Sequence, residues 1–380
     1  MLSQHCILPS HVLSSDVVNG FASPVGPVVV RESPGIKQFG RILRLPTPTG
    51  YDFGDINSYA ILPESGSDQL VLIDTGVGRD KCWQGLVDGL AQFGYGIEDI
   101  DLLLLTHGHV DHFGQGARIK QVSGCEVWGH EAIAASVTRY LPSEEQIIHE
   151  KAFFKTLGLN DEMYDRAYNY REHVKKVFKP CPLDHHLQDS DMIPIEGFAL
   201  QAIHTPGHCP EELVFWQAET RQMFSGDHLL TDITPVCLLH IPKPLEQERN
   251  HALTEYYQST DKVYPYEIDA VYPAHGDVIH DHRALIDGYK LSTERRLLKI
   301  SKILQKHGSL TPLGVGQQLF PKAWENMLYA VVSEVMGHLD MLADAGFAEI
   351  SERQGVLYYV STGEPGPGEV FEALGDVLAV

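Results

Sequence analysis

No stretch of this chain approaches the roughly 20 consecutive apolar residues that span a bilayer, so no membrane partner is expected. The opening segment MLSQHCILPSHVLSSDVV has neither a basic start nor a continuous apolar run. It does not read as a signal peptide, and a cytoplasmic location is expected. Cysteine is sparse: Cys6, Cys82, Cys125, Cys181, Cys209 and Cys237 are scattered without a CxxC pair. That excludes a disulfide framework and a zinc ribbon, and fits free thiols in a reducing compartment. No G-x-S-x-G elbow is present, so a serine nucleophile is not indicated. Basic residues are few, 29 against 51 acidic, giving a net charge of −22. Such a surface repels phosphate backbones and anionic lipid at long range. Nucleic acid is therefore not the expected partner, although a local basic patch could still serve one.

What is present reads as an α/β chain. Residues 1–50 carry Pro24, Pro27, Pro34, Pro46 and Pro48, which favours strands and turns over helices. Asn57–Leu62 and Leu70–Ile73 read as strands joined by a turn at Pro63–Asp68. Lys81–Phe93 has a helical apolar face. Ile100–Leu105 is a near-continuous apolar run, as in a strand buried on both faces. A helix near Ala117–Val122 and a strand at Glu126–Trp128 follow. Residues 140–180 space their aromatic and charged side chains helically and predict two or three inserted helices. Strands resume at Phe198–Ile203, Glu212–Trp216, Gln222–Phe224 and Ala270–Tyr272. From about residue 289 the pattern changes to helices at Glu294–Lys306, Thr311–Leu319 and Trp324–Ala345. Two short strands then flank Arg353-Gln354-Gly355, a hairpin signal. Three helices and a two-stranded wing predict a winged-helix domain over 289–380, after a catalytic domain over 1–288 with a helical insert at about 140–185.

The chemistry concentrates at strand ends. His107-x-His109-x-Asp111-His112 puts four candidate ligands in six residues directly after the buried strand. Imidazole and carboxylate suit zinc, and also iron or manganese. His107, His109 and Asp111 are two apart, a spacing that a strand-end loop can point into one cleft and a helix cannot. Thr205-Pro206-Gly207-His208, Ser225-Gly226-Asp227 and Pro273-Ala274-His275-Gly276 each set one further ligand type beside a Gly or Pro that lets the backbone turn tightly.

Taken together, LVLIDTG, HGHVDH, TPGHC, SGDH and PAHG resemble the successive motifs of the metallo-β-lactamase fold superfamily over roughly residues 50–290. The resemblance implies an αββα sandwich with a dinuclear site between the sheets. It implies that His107, His109 and His208 hold one divalent ion, that Asp111, His112 and His275 hold a second, and that Asp227 bridges. Asp74 would brace the loops beneath. Zinc is the first expectation for both ions. A water acidified between two metals would attack an electrophilic carbon or phosphorus, with Asp111 and Asp227 as the carboxylates nearest the reaction. Asp227 sets the chain apart from true β-lactam hydrolases, His109 from flavodiiron reductases, and the full ligand set from mono-iron sulfur dioxygenases.

Gly226-Asp227-His228-Leu229-Leu230, Thr234-Pro235 and the C-terminal pattern are similar to the branch of β-lactamase-like protein 2, which includes thioester hydrolases and a ribonuclease. The acidic balance and the aromatic insert favour a thioester or related carboxylic ester, acyl-CoA-like or glutathione-like. Arg166, Tyr168, Arg171 and Lys175, with Lys176 and Lys179, are expected to meet the substrate or its phosphates, and His228 is placed with them. His130 and His204 are expected near the site, His185 and His186 at its mouth, and His280 and His282 in surface or packing roles. The runner-up is a metal-dependent phosphodiesterase or ribonuclease, for which, within the C-terminal domain, only the 295–306 segment is locally basic. A non-catalytic binding protein would have lost ligands, which this chain has not. The apolar 324–345 helix could contribute to a homodimer.

Overall fold

The computed structural model describes residues 35–49, 54–64, 69–134, 140–169, 171–177, 179–231, 234–241 and 249–378. The readings made on residues 1–34, Cys6 among them, on most of the Pro63–Asp68 turn and on Tyr170 lie outside the described residues.

Two sheets pack face to face. The first holds β1 (Lys37–Phe39), β2 (Ile42–Thr47), β3 (Ile56–Ile61), β4 (Leu70–Ile73), β5 (Ile100–Leu104), β6 (Glu126–His130) and β7 (His185–Leu187), in that spatial order. Pairing is antiparallel up to β4 and parallel from β4 to β7. The second holds β8 (Met192–Ile193), β9 (Leu200–His204), β10 (Leu213–Gln217), β11 (Gln222–Gly226) and β12 (Ala270–Pro273), ordered β12-β11-β10-β9-β8.

The apolar runs follow from burial on both faces. Val71, Ile73, Leu102 and Leu104 point inward against Leu213, Phe215, Phe224 and Tyr272 of the second sheet. Their neighbours Leu70, Leu72, Leu103 and Leu105 point outward and pack under Leu86 and Leu90 of the Asp80–Ala91 helix. On the opposite side, Ile203, Val214, Met223 and Val271 lie under the Ala252–Val263 and His282–His307 helices. Each such side chain contributes about 1.5–3 kcal/mol of burial. The expected α/β sandwich, helices outside and two sheets within, is the fold observed.

The insert contains three helices, Glu144–Thr156, Asp161–Ala167 and Arg171–Val177. The first two start where the sequence provides caps: Ser143 accepts from Gln146 N–H at 3.2 Å and Asn160 from Met163 N–H at 2.9 Å. Beyond residue 282 come the helices His282–His307, Pro312–Leu319 and Leu328–Asp344, then the hairpin of β13 (Ala348–Arg353) and β14 (Val356–Ser361). The insert packs on this C-terminal part. Phe154 and Tyr168 lie 6.3 and 5.4 Å from Tyr329, ring centre to ring centre.

Some boundaries of the sequence reading meet a different local structure. The division at 288/289 falls inside one continuous helix, His282–His307, whose Ile286, Tyr289 and Leu297 share a single core. The long helix starts at Leu328 rather than Trp324, and its Val331, Val332, Val335, Met336, Leu339 and Leu342 are fully buried within the chain, so that stripe is not available to a second subunit. The 252–263 helix had no counterpart in the sequence reading. Among the described residues, no helix is long and apolar enough to cross a membrane.

Candidate metal centre

All seven candidate ligands come together at one end of the sandwich, on the loops that leave β5, β9, β11 and β12. The 205–208 loop can approach so closely because Gly207 (φ +142°) has no Cβ; one would stand 2.4 Å from Tyr256 Cα. Gly226 (φ +52°) serves the Asp227 loop in the same way, since a Cβ there would lie 2.4 Å from Glu212 Oε1.

Three imidazoles converge. His109 Nδ1 is 2.8 Å from His107 Nε2 and 2.9 Å from His208 Nε2. Beside them, Asp111 Oδ2 is 3.5 Å from His275 Nε2 and 3.9 Å from His112 Nε2. Asp227 stands between the two groups. Its Oδ2 is 3.4 Å from His208 Nε2, and its Oδ1 is 3.5 Å from His112 Nε2 and 3.7 Å from His275 Nε2. His107, His109, His208 and Asp227 could hold one ion, and Asp111, His112 and His275 another.

The far nitrogens explain why these rings face inward. His112 Nδ1 is 2.8 Å from Asp74 Oδ2, His208 Nδ1 2.7 Å from Val236 O, and His275 Nδ1 3.1 Å from Asp55 O. His107 Nδ1 lies 3.1 Å from Thr106 Oγ1 and 3.2 Å from Glu212 Oε2. Each ring can place its proton on an outer acceptor, leaving an Nε2 lone pair for the centre, as metal-binding histidines require. The chain therefore fits a cation. Four imidazole Nε2 atoms, His109 Nδ1 and two carboxylates meet in a buried space, and both His112 Nε2 and Asp227 Oδ1 are buried without a hydrogen-bond donor or acceptor of their own. A positive ion supplies what these lone pairs lack.

The electrostatics agree. Burial pushes the Asp227 carboxyl up, but His112, His275 and His208 outweigh it and hold the group far below the usual carboxylate range. Burial pushes His112 down, yet Asp227, Asp74 and Asp111 raise it well above an ordinary histidine. Asp74 accepts from Thr106 N–H at 3.0 Å and Thr106 Oγ1–H at 2.8 Å. It sits at φ +56°, an uncommon backbone state for a residue with a side chain, held by these bonds.

The expected substrate residues are not gathered at the centre. Arg171 is buried inside the insert, its Nη1 2.9 Å from Glu150 Oε2 and 2.8 Å from the Tyr164 hydroxyl, with its guanidinium over the Tyr168 ring at 3.8 Å. Tyr168 packs against Phe154, Tyr164 and Tyr329. Both are core groups of the insert rather than a surface for phosphate. Lys175 pairs with Glu172 at 2.6 Å on the exposed face. Lys176 and Lys179 are exposed, and Arg166 is exposed beside Trp324. His228 is wholly buried beneath the site, its ring against Tyr256 and its pKa pushed down to about 3 by burial, His208 and Lys262. It is a buried group under the Asp227 loop, not one open to substrate. His130 stacks on His204 at 4.6 Å, His185 and His186 are exposed, His280 is exposed, and His282 is buried against the Tyr264 carbonyl.

Glu212 was read only as the start of a strand, yet it is fully buried directly behind His107 and Asp227. A glutamate four residues after His208, just before a buried strand, was the available signal. Cys209 lies there too, its Sγ 3.5 Å from Glu212 Oε2.

Comparison with known proteins agrees with the geometry. The family model described as the Metallo-beta-lactamase superfamily matches residues 51–275. A "Probable metallo-hydrolase" of Bacillus subtilis is 27% identical over 335 residues, 84% of this chain and 97% of its own length. A hydroxyacylglutathione hydrolase of Haemophilus influenzae is 30% identical over 137 residues, 35% of this chain and 53% of its own. A crystal structure of a metallo-β-lactamase family protein from Thermus thermophilus superposes with a TM-score of 0.70 at 22% identity, over 85% of this chain and 99% of that one.

Proposed function

The chain belongs to the metallo-β-lactamase superfamily, and from that premise we propose that it is a dinuclear metal-dependent hydrolase of a thioester or related carboxylic ester, acyl-CoA-like or glutathione-like. The carrying observation is the split carboxylate of Asp227, with Oδ2 toward His208 and Oδ1 toward His112 and His275. His107, His109 and His208 would hold one ion, Asp111, His112 and His275 the other, and Asp227 would bridge. Zinc suits this nitrogen and oxygen set, as do iron and manganese. When bound, the pair of ions would supply an acidified water and polarise the scissile carbonyl.

The protein's own residues do the rest. Asp74 and the Val236 and Asp55 carbonyls orient the His112, His208 and His275 rings before substrate arrives. Such preorganisation spares reorganisation during the reaction. Asp111 and His109 are only partly buried, so the substrate carbonyl enters on their side, where the Asp111 carboxylate is open to orient a nucleophile. A relative named for hydroxyacylglutathione hydrolysis supports a thioester as the substrate class.

The three C-terminal helices and hairpin support a winged-helix reading of that part. One observation favours the second reading, a phosphodiesterase or ribonuclease: Arg295, Lys299, Lys302 and Lys306 are all exposed and fall at helical spacing on one face. Opposing it, Lys302 is 3.4 Å from Glu364 and Arg296 is tied up with Glu334. The test is a screen of acyl-CoA and acyl-glutathione thioesters beside single-stranded RNA, with His109→Ala as control. Thiol release that His109→Ala abolishes is expected. Metal-dependent RNA cleavage without thioester turnover would overturn the substrate class.

A further inference from the structure

We propose that Glu212 is a positioning residue that ties the two halves of the centre together, fixing the His107 tautomer with one oxygen and the Asp227 backbone with the other. This rests on the metal-site reading above, but not on the substrate. Glu212 is completely buried. Its Oε1 accepts the Asp227 N–H at 2.9 Å, and its Oε2 lies 3.2 Å from His107 Nδ1 and 3.5 Å from Cys209 Sγ. The groups facing it are an amide N–H, the His107 Nδ1 and a thiol S–H. The ionised carboxylate can accept from all three, against burial and the Asp227 carboxylate, which push its pKa well above the usual carboxylate range.

The donor count also fixes the proton on His107. Near His107 Nδ1 lie Glu212 Oε2 and Thr106 Oγ1. The Thr106 hydroxyl gives its hydrogen to Asp74 Oδ2 at 2.8 Å and can offer His107 only a lone pair. Both neighbours are acceptors, so the ring proton stays on Nδ1 and the Nε2 lone pair faces His109 and His208. One carboxylate thus couples the loop after β5 to the loop after β11, which would hold ligands to different ions. Gly226 leaves room for this: a side chain there would collide with Glu212 Oε1.

The geometry predicts that the near-isosteric Glu212→Gln variant behaves worse than a packing role would allow. An amide has one acceptor and one donor end. If its oxygen serves Asp227 N–H, its NH2 meets the His107 N–H; if it flips, the NH2 meets Asp227 N–H. Either way one donor faces another. The experiment is Zn²⁺ binding to metal-stripped wild type and Glu212→Gln by chelator competition, with thermal unfolding of both metal-free proteins as the folding check. In the metal-free variant His107 can move its proton to Nε2 and accept from the amide, so unfolding near that of wild type is expected, whereas zinc needs that Nε2 lone pair and its affinity is reduced about 10-fold or more. Equal zinc affinity in the two proteins would overturn the proposal. If wild type itself takes up no zinc, the metal-site reading fails instead. A second measurement needs no variant: imidazole ¹⁵N spectra of the zinc-loaded wild type should show His107 protonated at Nδ1 and zinc-bound, without a proton, at Nε2. A bare Nδ1 would also overturn it.

Discussion

His208 Nδ1 lies 2.7 Å from the carbonyl oxygen of Val236, and the Leu238 N–H returns to the His208 carbonyl at 3.2 Å. The strap that makes these bonds is itself pinned to the C-terminal helix. Leu239 N–H donates to Ser333 Oγ at 3.0 Å, and the Tyr329 hydroxyl donates to the Leu239 carbonyl at 2.6 Å. A ligand-type histidine of the sandwich is therefore oriented through the 328–344 helix. The C-terminal part is structurally continuous with the centre.

The first prediction concerns this strap. Tyr329→Phe with Ser333→Ala removes two hydrogen bonds, each worth about 0.5–1.5 kcal/mol, without touching a ligand. Metal affinity should fall by up to roughly 10-fold, as when a partner of a ligating histidine is lost. Chelator competition measures it; an unchanged affinity would mean that the strap does not set His208.

Asp74→Asn should act on the other side of the centre. Asp74 accepts from Thr106 twice and from His112 Nδ1, and an amide cannot accept at all three. Metal affinity should fall about 10–100-fold while the fold, read by circular dichroism, persists.

The buried pair Arg171–Glu150 gives a stability prediction. Both side chains are about 7% exposed, and removing one partner leaves a buried charge, which costs about 3–5 kcal/mol. Arg171→Met should lower the unfolding midpoint in denaturant accordingly, and Arg171→Met with Glu150→Leu should recover much of the loss. Because the guanidinium faces inward, the variant should not discriminate against acyl-CoA relative to acyl-glutathione.

A pH prediction follows from His251, whose Nδ1 lies 2.7 Å from Asp344 Oδ2. That bond raises its pKa above the ordinary histidine value, outweighing burial. A raised folded-state pKa contributes stability fully below the unfolded value of about 6.5 and loses it as pH rises through the folded one. The Tm difference between wild type and His251→Gln should thus be larger at pH 6 than at pH 9; a constant difference would show that the pair is not protonation-linked.

These residues also mark what was legible in the sequence. The ligands were, because each sits at the end of a strand whose apolar run is buried on both faces, and a Gly or Pro beside it announces the turn. Glu212 was passed over: the β10–β11 hairpin brings it beside Asp227, but His107 reaches it from the other sheet, a contact that no local pattern encodes. The charges of the insert misled for a physical reason. Arg171 at helical spacing looks solvated until its partner, 21 residues away, is brought beside it. The 252–263 helix was missed because its buried face includes Thr254, Ser259 and Thr260. Polar residues thus interrupt a buried face that also carries Leu253, Tyr256, Tyr257 and Val263, and Ser259 Oγ–H bonds the Pro206 carbonyl at 2.7 Å. The start of the 282–307 helix was missed although Ile286 and Tyr289 continue the buried stripe of Leu297 and Ile300, because Asp287-Gly288 reads locally as a turn.

The most direct measurement follows thiol release from an acyl thioester while metal-stripped protein is titrated with Zn²⁺. The account predicts no turnover without metal, a rise that completes at two ions per chain, and loss of both the second ion and turnover in Asp227→Ala. Full activity in metal-free protein, or in Asp227→Ala, would contradict it.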